Sequence, residues 1–389
     1  MFLDASFKKK HLQNFLKNAA SISSRDVKNA IFSFVKRPGP QEFLILSRSL
    51  TTSSIWISHS ILRYLASLYV PSRDKKDFLP DSEDLKILNS IRQKTELPRG
   101  VTHERAFQAL FHDIQFSHFN GLYQQQVPCP KIKTTLVLIS GVFNEIFSTP
   151  AFARGAEYIS QKSGLKRISL NVSGTKGSEH NSELIQRQLE TYLSVHKDEK
   201  LWVIAFSKGG VDFLHYLQKN PHFSNEFISG VSLMACPILG TSHLNHKAFQ
   251  TILKVEKLSH TRGFKLLRKR YDFLAEEFRK ALSEDHQADW FKLNHSRLPK
   301  NLFYSALAFE AQWHQSHVWM MLTKLFFQSP KPNDGVVDTD RAQYPQYFDG
   351  INLGIVPGHH LIGTRSSFYN QEALLEAHLI YLNYLGKLN

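Results

Sequence analysis

One junction constrains this chain more than any other. The apolar run LWVIAF (Leu201–Phe206) passes into AFSKGG (205–210), and GVDFLHYLQK follows with Val211, Leu214 and Leu217 at helical spacing. A strand therefore runs into Ser207 and a helix runs out of it. With no loop to absorb the reversal, the turn residue is held in a strained backbone, and its neighbours two positions away must be tiny. Here those neighbours are Ala205 and Gly209. The pattern is G-x-S-x-G with Ala in the first place, the arrangement that presents a serine hydroxyl as a nucleophile.

From about residue 131 the surroundings of this junction repeat its grammar. Short apolar segments at 135–140, 167–172, 201–206, 228–235, 302–308 and 351–356 alternate with helical ones at 151–162, 180–196, 210–219 and 370–386. Such alternation predicts an α/β fold with a mostly parallel, doubly wound sheet. Residues 1–130 read as mainly helical instead. Ile57, Ile61, Leu65 and Leu68 line one face, and further helices are expected near 84–94 and 103–115. The expected organisation is an N-terminal helical extension over 1–130 and a catalytic domain over 131–389. An insertion over 242–300 separates the fourth and fifth strands. It carries Leu267, Tyr271, Leu274 and Phe278 on one helical face beside Arg268, Lys269 and Arg270. Connections at the carboxyl ends of parallel strands stand over the site of an open α/β sheet, so this insertion is expected to form a helical lid.

Bulk properties narrow the function. The chain has 389 residues, of which 42% are hydrophobic and 12% aromatic, enough to bury a large core. The net charge of +14 comes without any nucleic-acid-binding motif, so no nucleic-acid partner is expected. The partner suggested by the charge is an anionic surface, such as a membrane or an anionic substrate. Cys129 and Cys236 are the only cysteines and make no C-x-x-C pair, and no histidines stand at H-E-x-x-H spacing. His112 and His118, six apart, do not suit a helical metal pair. No metal and no cofactor are expected. The first residues lack an apolar core of signal-peptide length, and the stretch over 55–70 is too short to span a membrane and carries His59 and Arg63. The expected location is cytoplasmic, peripheral to a membrane at most.

A serine nucleophile needs a base, and the base needs a group to orient it. On a sheet of this type the chain order is serine, then acid, then histidine. PNDGVVDTD (332–340) lies between the fifth and sixth strands and offers Asp334 or Asp338. PGHHLIG (357–363) directly follows the sixth and offers His359 or His360. Asp334 sits in an Asn-Asp-Gly turn, a good place to present a carboxylate. Two backbone donors complete the set. The N–H of Lys208 stands at a helix start just after the nucleophile, and that of Val142 follows Gly141 in the loop after the first strand.

These segments together resemble an α/β-hydrolase, in particular the bacterial triacylglycerol lipases and esterases, over residues 131–389. SG (140–141) resembles their oxyanion loop, LNVSG (170–174) their next strand exit, and AFSKGG their nucleophile elbow. CPILGTSH (236–243) resembles T-P-x-x-G-[ST], while NDGVV (333–337) and the later HHL (359–361) resemble N-D-G-[LV]-V and N-H-L. The resemblance implies Ser207 as nucleophile, Asp334 as acid and His360, directly before Leu361, as base. It implies an acyl-enzyme mechanism on carboxylic esters, with acyl lipids as the substrate class. Thioesters or polyesters need the same machinery, and a hydrolase fold used only to bind a lipid or partner is the competing reading. Ser140 stands where those lipases usually have histidine. Ile362 stands where several of them hold calcium through an aspartate, so calcium is not carried over.

Overall fold

A computed structural model describes residues 80–119, 123–141, 150–174, 176–242, 281–311, 331–363 and 369–388, with five positions between 28 and 36. In chain order the elements are α1 (Ser82–Gln93), α2 (His103–Phe119), β1 (Thr135–Ile139), α3 (Ala153–Ser163), β2 (Arg167–Leu170), α4 (Ser178–Val195), β3 (Leu201–Phe206), α5 (Lys208–Lys219), α6 (Pro221–Phe227), β4 (Ile228–Met234), α7 (Glu284–Asn294), β5 (Phe303–Glu310), β6 (Ile351–Pro357) and α8 (Gln371–Tyr384). The six strands form one sheet in the order β2-β1-β3-β4-β5-β6, every neighbouring pair parallel.

Every residue of β1 and β3 is buried, as continuous apolar runs in the middle of a parallel sheet must be. Side chains alternate across the sheet, and the two faces build two cores. Leu136, Leu138, Trp202, Ile204 and Phe206 face one way, into a core shared with α1, α2, α3 and α8. Val137, Ile139, Val203 and Ala205 face the other way, against α4, α5 and α7. Ile87, Leu88 and Ile91 of α1 and Phe107, Leu110 and Phe111 of α2 belong to the first core. The boundary expected at 130 thus has one continuous core on both sides of it among the described residues.

Both edges of the sheet have visible devices. β2 is four residues long, with Arg167 exposed. At the opposite edge α2 lies along β6. Glu104 Oε1 accepts from Ile355 N–H at 3.2 Å, and Gln108 Nε2 donates to the Ile355 carbonyl at 3.0 Å.

Residues 373–382 of α8 are all buried, as befits a helix that is apolar nearly all round and packs between α2 and α3. Glu376 and His378 are the buried polar residues of this stretch, and Glu376 carries a charge. The Glu376 carboxylate meets Lys162 Nζ at 2.5 Å, Gln125 Nε2 at 2.7 Å and the Tyr158 hydroxyl at 3.2 Å, with His118 Nε2 at 3.6 Å. Burial opposes its ionisation, but hydrogen bonds from His118, Lys162 and Gln125 outweigh burial and bring its pKa down to about 2. A carboxylate whose folded pKa lies below its unfolded value stabilises the fold above the unfolded pKa, and that stabilisation is lost as pH falls toward the folded one. The window here runs from roughly 4.5 down to about 2. Glu376→Gln should therefore lower the melting temperature at pH 7, through a loss of stability on the order of 3 kcal/mol at most. It should also flatten the dependence of melting on pH within that window. An unchanged acid limb in thermal scans of the variant would mean that other carboxylates set it.

The insertion expected over 242–300 lies mostly outside the described residues, as do Leu267, Tyr271, Leu274, Phe278 and the run Arg268, Lys269, Arg270. Its end, residues 281–300, includes α7. The helix face expected at Ile57, Ile61, Leu65 and Leu68 also lies outside them. Among the described residues, no helix is long and apolar enough to cross a membrane.

Candidate active site

The site forms where β3 meets α5. Ser207 has φ 53° and ψ −134°, a backbone that costs a non-glycine residue on the order of 1–3 kcal/mol and persists only where its surroundings impose it. Those surroundings are tight. Ser207 N–H donates to the Met234 carbonyl of β4 at 3.0 Å, which fixes the end of β3 against its neighbour. A Cβ on Gly209 would stand 2.3 Å from the Ser140 carbonyl oxygen, and one on Gly141 would stand 2.7 Å from Ser207 Cβ. The requirement for small neighbours thus comes from the exit of β1 pressing on the turn.

Ser207, His360 and Asp334 come together. Ser207 Oγ lies 2.7 Å from His360 Nε2, and His360 Nδ1 lies 2.7 Å from Asp334 Oδ2, with all three residues buried. An ionised carboxylate only accepts, so the Nδ1 proton points to Asp334 and Nε2 is left to accept from the serine. Asp334 is aimed by its own turn: Oδ1 accepts from Val336 N–H at 2.9 Å and Val337 N–H at 2.8 Å. Its main-chain carbonyl accepts from His360 N–H at 2.9 Å, tying the two loops backbone to backbone as well. The Phe206 ring lies 5.3 Å from the imidazole, and the Phe152 ring meets Phe206 edge-on at 5.3 Å, so the relay has an apolar flank.

The alternatives are placed elsewhere. His359 is buried, and its Nδ1 accepts from Leu361 N–H at 3.1 Å, closing the turn that presents His360. Asp338 is fully buried and accepts from the Ser242 hydroxyl at 2.6 Å. Thr241 Oγ1 donates to the Val336 carbonyl at 2.6 Å. The Thr-Ser pair of CPILGTSH therefore supports the loop that carries Asp334. Lys208 N–H is the first of α5, where no helical carbonyl can accept from it. Val142, the second expected donor, lies outside the described residues. Ser140 Oγ accepts from Ala151 N–H at 2.6 Å, joining the two ends of that loop. Ile362 is fully buried in the apolar core. Among the described residues no group of three His, Cys, Asp or Glu is placed to hold a metal, and both cysteines are free thiols.

A set of residues not anticipated from the sequence lies behind the elbow. The Lys208 side chain is buried and donates to both oxygens of Asp212, one helical turn on, at 2.8 Å each. Asp212 also accepts from Ser178 Oγ and Asn181 Nδ2, each at 2.7 Å. The sequence signal was present in KGGVDF: a lysine and an aspartate four apart in the first turns of a helix that follows a buried strand.

The chain matches no protein-family model and no curated protein sequence. It is similar in structure to a metagenomic carboxyl esterase, with 20% identity, coverage of 66% of this chain and 77% of that one, and a TM-score of 0.51. A mature lipase of Bacillus licheniformis aligns with 15% identity over 66% and 93% of the two chains at a TM-score of 0.45. Lipase 1 of Pelosinus fermentans aligns with 12% identity over 66% and 100% at 0.43. With six parallel strands, a serine turn after β3, an acid loop after β5 and a histidine turn after β6, this chain has the α/β-hydrolase fold.

Proposed function

We propose that the protein is a serine hydrolase of carboxylic esters with apolar acyl groups, working through an acyl-enzyme. The observation that carries the reading is the pair of 2.7 Å contacts from Ser207 Oγ to His360 and from His360 to Asp334. Ser207 attacks the ester carbonyl as His360 Nε2 takes its proton. Asp334 holds the imidazole in the right tautomer and stabilises the imidazolium that forms. The negative oxygen of the tetrahedral intermediate is received by the N–H of Lys208 and that of Val142. His360 returns the proton to the departing alcohol, and water repeats the sequence to release the acid.

The apolar flank of Phe206 and Phe152 supports an acyl chain rather than a polar acid as the group held beside the imidazole. The net charge of +14 supports an anionic lipid surface as the place where substrate is met. Treatment with a fluorophosphonate, followed by peptide mass spectrometry, should place the adduct on Ser207. Across nitrophenyl esters of increasing acyl length, kcat/KM should rise, and lipid esters should be cleaved faster on anionic than on neutral vesicles, with the gain fading in salt. Absence of the adduct and of ester cleavage would turn the reading toward a hydrolase fold that only binds. Cleavage confined to short esters would remove the lipid part.

A further inference from the structure

We infer that Lys208, Asp212, Ser178 and Asn181 are positioning residues that set where the Lys208 N–H, the oxyanion donor next to Ser207, stands. The inference rests on the ester-hydrolase reading and concerns residues to which that reading gives no side-chain role.

A lysine side chain is almost never fully buried unless it is paired. Lys208 is the only lysine fully buried among the described residues, and it directly follows the nucleophile. Its partner Asp212 receives four hydrogen bonds: two from Lys208, one from Ser178 and one from Asn181. Asn181 continues outward, donating from Nδ2 to the Ser173 carbonyl at 2.8 Å and accepting at Oδ1 from Ser173 N–H at 2.9 Å. The network therefore runs from the first turn of α5, through the first turn of α4, to the chain that leaves β2.

Sheet order gives this path its meaning. β1 lies between β2 and β3, so the exits of β2 and β3 flank the exit of β1. That exit, Ser140 and Gly141, is pressed against Ser207 and Gly209, and it leads into the loop with the second donor. The network closes a bracket around it. One arm is the elbow whose Lys208 N–H is the first donor; the other is Ser173 after β2. Two apolar helices pack over a range of small shifts, whereas a carboxylate with both oxygens saturated by directed donors holds one arrangement. Replacing such a buried pair by apolar residues of similar size is often harmless to stability. What the charged network adds is a fixed position for the Lys208 N–H beside the exit of β1, a donor that acts only when negative charge develops on the carbonyl oxygen.

An interaction used only in the transition state shows in kcat rather than in KM. The test compares wild-type enzyme with Lys208→Met/Asp212→Leu and with Asn181→Ala, each titrated for active sites with a fluorophosphonate. In the double variant kcat per titrated site should fall on the order of 10- to 100-fold, part of the cost of deleting a donor outright. For Asn181→Ala, at the far end of the network, a fall of roughly 3- to 10-fold is expected by the same argument, with KM within about twofold in both. A trifluoromethyl ketone adds Ser207 to its carbonyl and places the resulting negative oxygen in the hole. Its inhibition constant should rise by the same factor as kcat/KM falls. Values of kcat per titrated site and of inhibition within about twofold of wild type, or a loss confined to KM, would reduce the network to a structural tie. If the double variant does not fold, Asn181→Ala decides by the same two readouts. A wild-type protein that neither labels nor cleaves esters would instead sink the hydrolase reading, and this inference with it.

Discussion

Ser207→Ala is expected to lose on the order of 10⁶ in kcat while keeping its fold. The hydroxyl makes one short contact, to His360 Nε2, while the strained backbone is held by Met234, Gly141 and Gly209 through atoms that alanine leaves in place. The variant should therefore melt like the wild type and bind substrate analogues, with the nucleophile gone. His360→Ala should lose a similar amount, because a serine without its base is as inert as a base without its serine, and the two losses should not add. His359→Ala should be mild by comparison, since its ring supports a turn from outside the relay. Activity above roughly a tenth of wild type in Ser207→Ala would remove the serine from the mechanism, because no triad serine is so dispensable.

Asp334→Asn should lower kcat by roughly 10⁴, with little change in stability. The asparagine carbonyl can still accept from Val336 and Val337, so the turn survives. The remaining amide then donates toward Nδ1, which must accept, and the proton moves to Nε2, facing the serine. The base is held in the tautomer that cannot take a proton from Ser207, and no negative charge stabilises an imidazolium. Asp338→Asn makes the control. That carboxylate accepts from Ser242, which an asparagine oxygen also does, so activity should largely persist. Rates from nitrophenyl ester hydrolysis, set beside melting curves, separate the two positions. Reversed effects would exchange the roles of the aspartates while leaving the reaction class intact.

Strands and helices of the sheet were legible because their apolar runs are short and bounded by helical segments. The expected strands at 135–140 and 201–206 correspond to β1 and β3, offset by a residue at most. Ser207 was legible for the same local reason, a strand and a helix meeting on one residue between Ala205 and Gly209. Adjacent candidates were harder. His359 and His360 differ by one position in a turn; the likeness of HHL to N-H-L pointed to His360, and hydrogen-bond geometry separates a ring that meets Leu361 N–H from one that meets Ser207. Two features escaped because they are tertiary. Glu376 reads as a polar position in an apolar helix until Lys162, Gln125 and Tyr158 are brought to it from elsewhere in the chain. Asp212 reads as an ordinary helix carboxylate until α4 supplies Ser178 and Asn181.

The helix beside β6 bears on what that edge of the sheet offers to other chains. An uncovered sheet edge is a template onto which another chain adds a strand. β2 is defended by its brevity and by the charge of Arg167. The seven residues of β6 are a longer invitation, and Glu104 and Gln108 occupy its backbone groups at Ile355 instead. A chain begun at residue 131 would retain the residues of all six strands with Ser207, Asp334 and His360, but without α2 it would leave the Ile355 groups of β6 open to a neighbour. Self-association of such a shortened chain, measured by light scattering beside the full chain, is the expected result of uncovering β6.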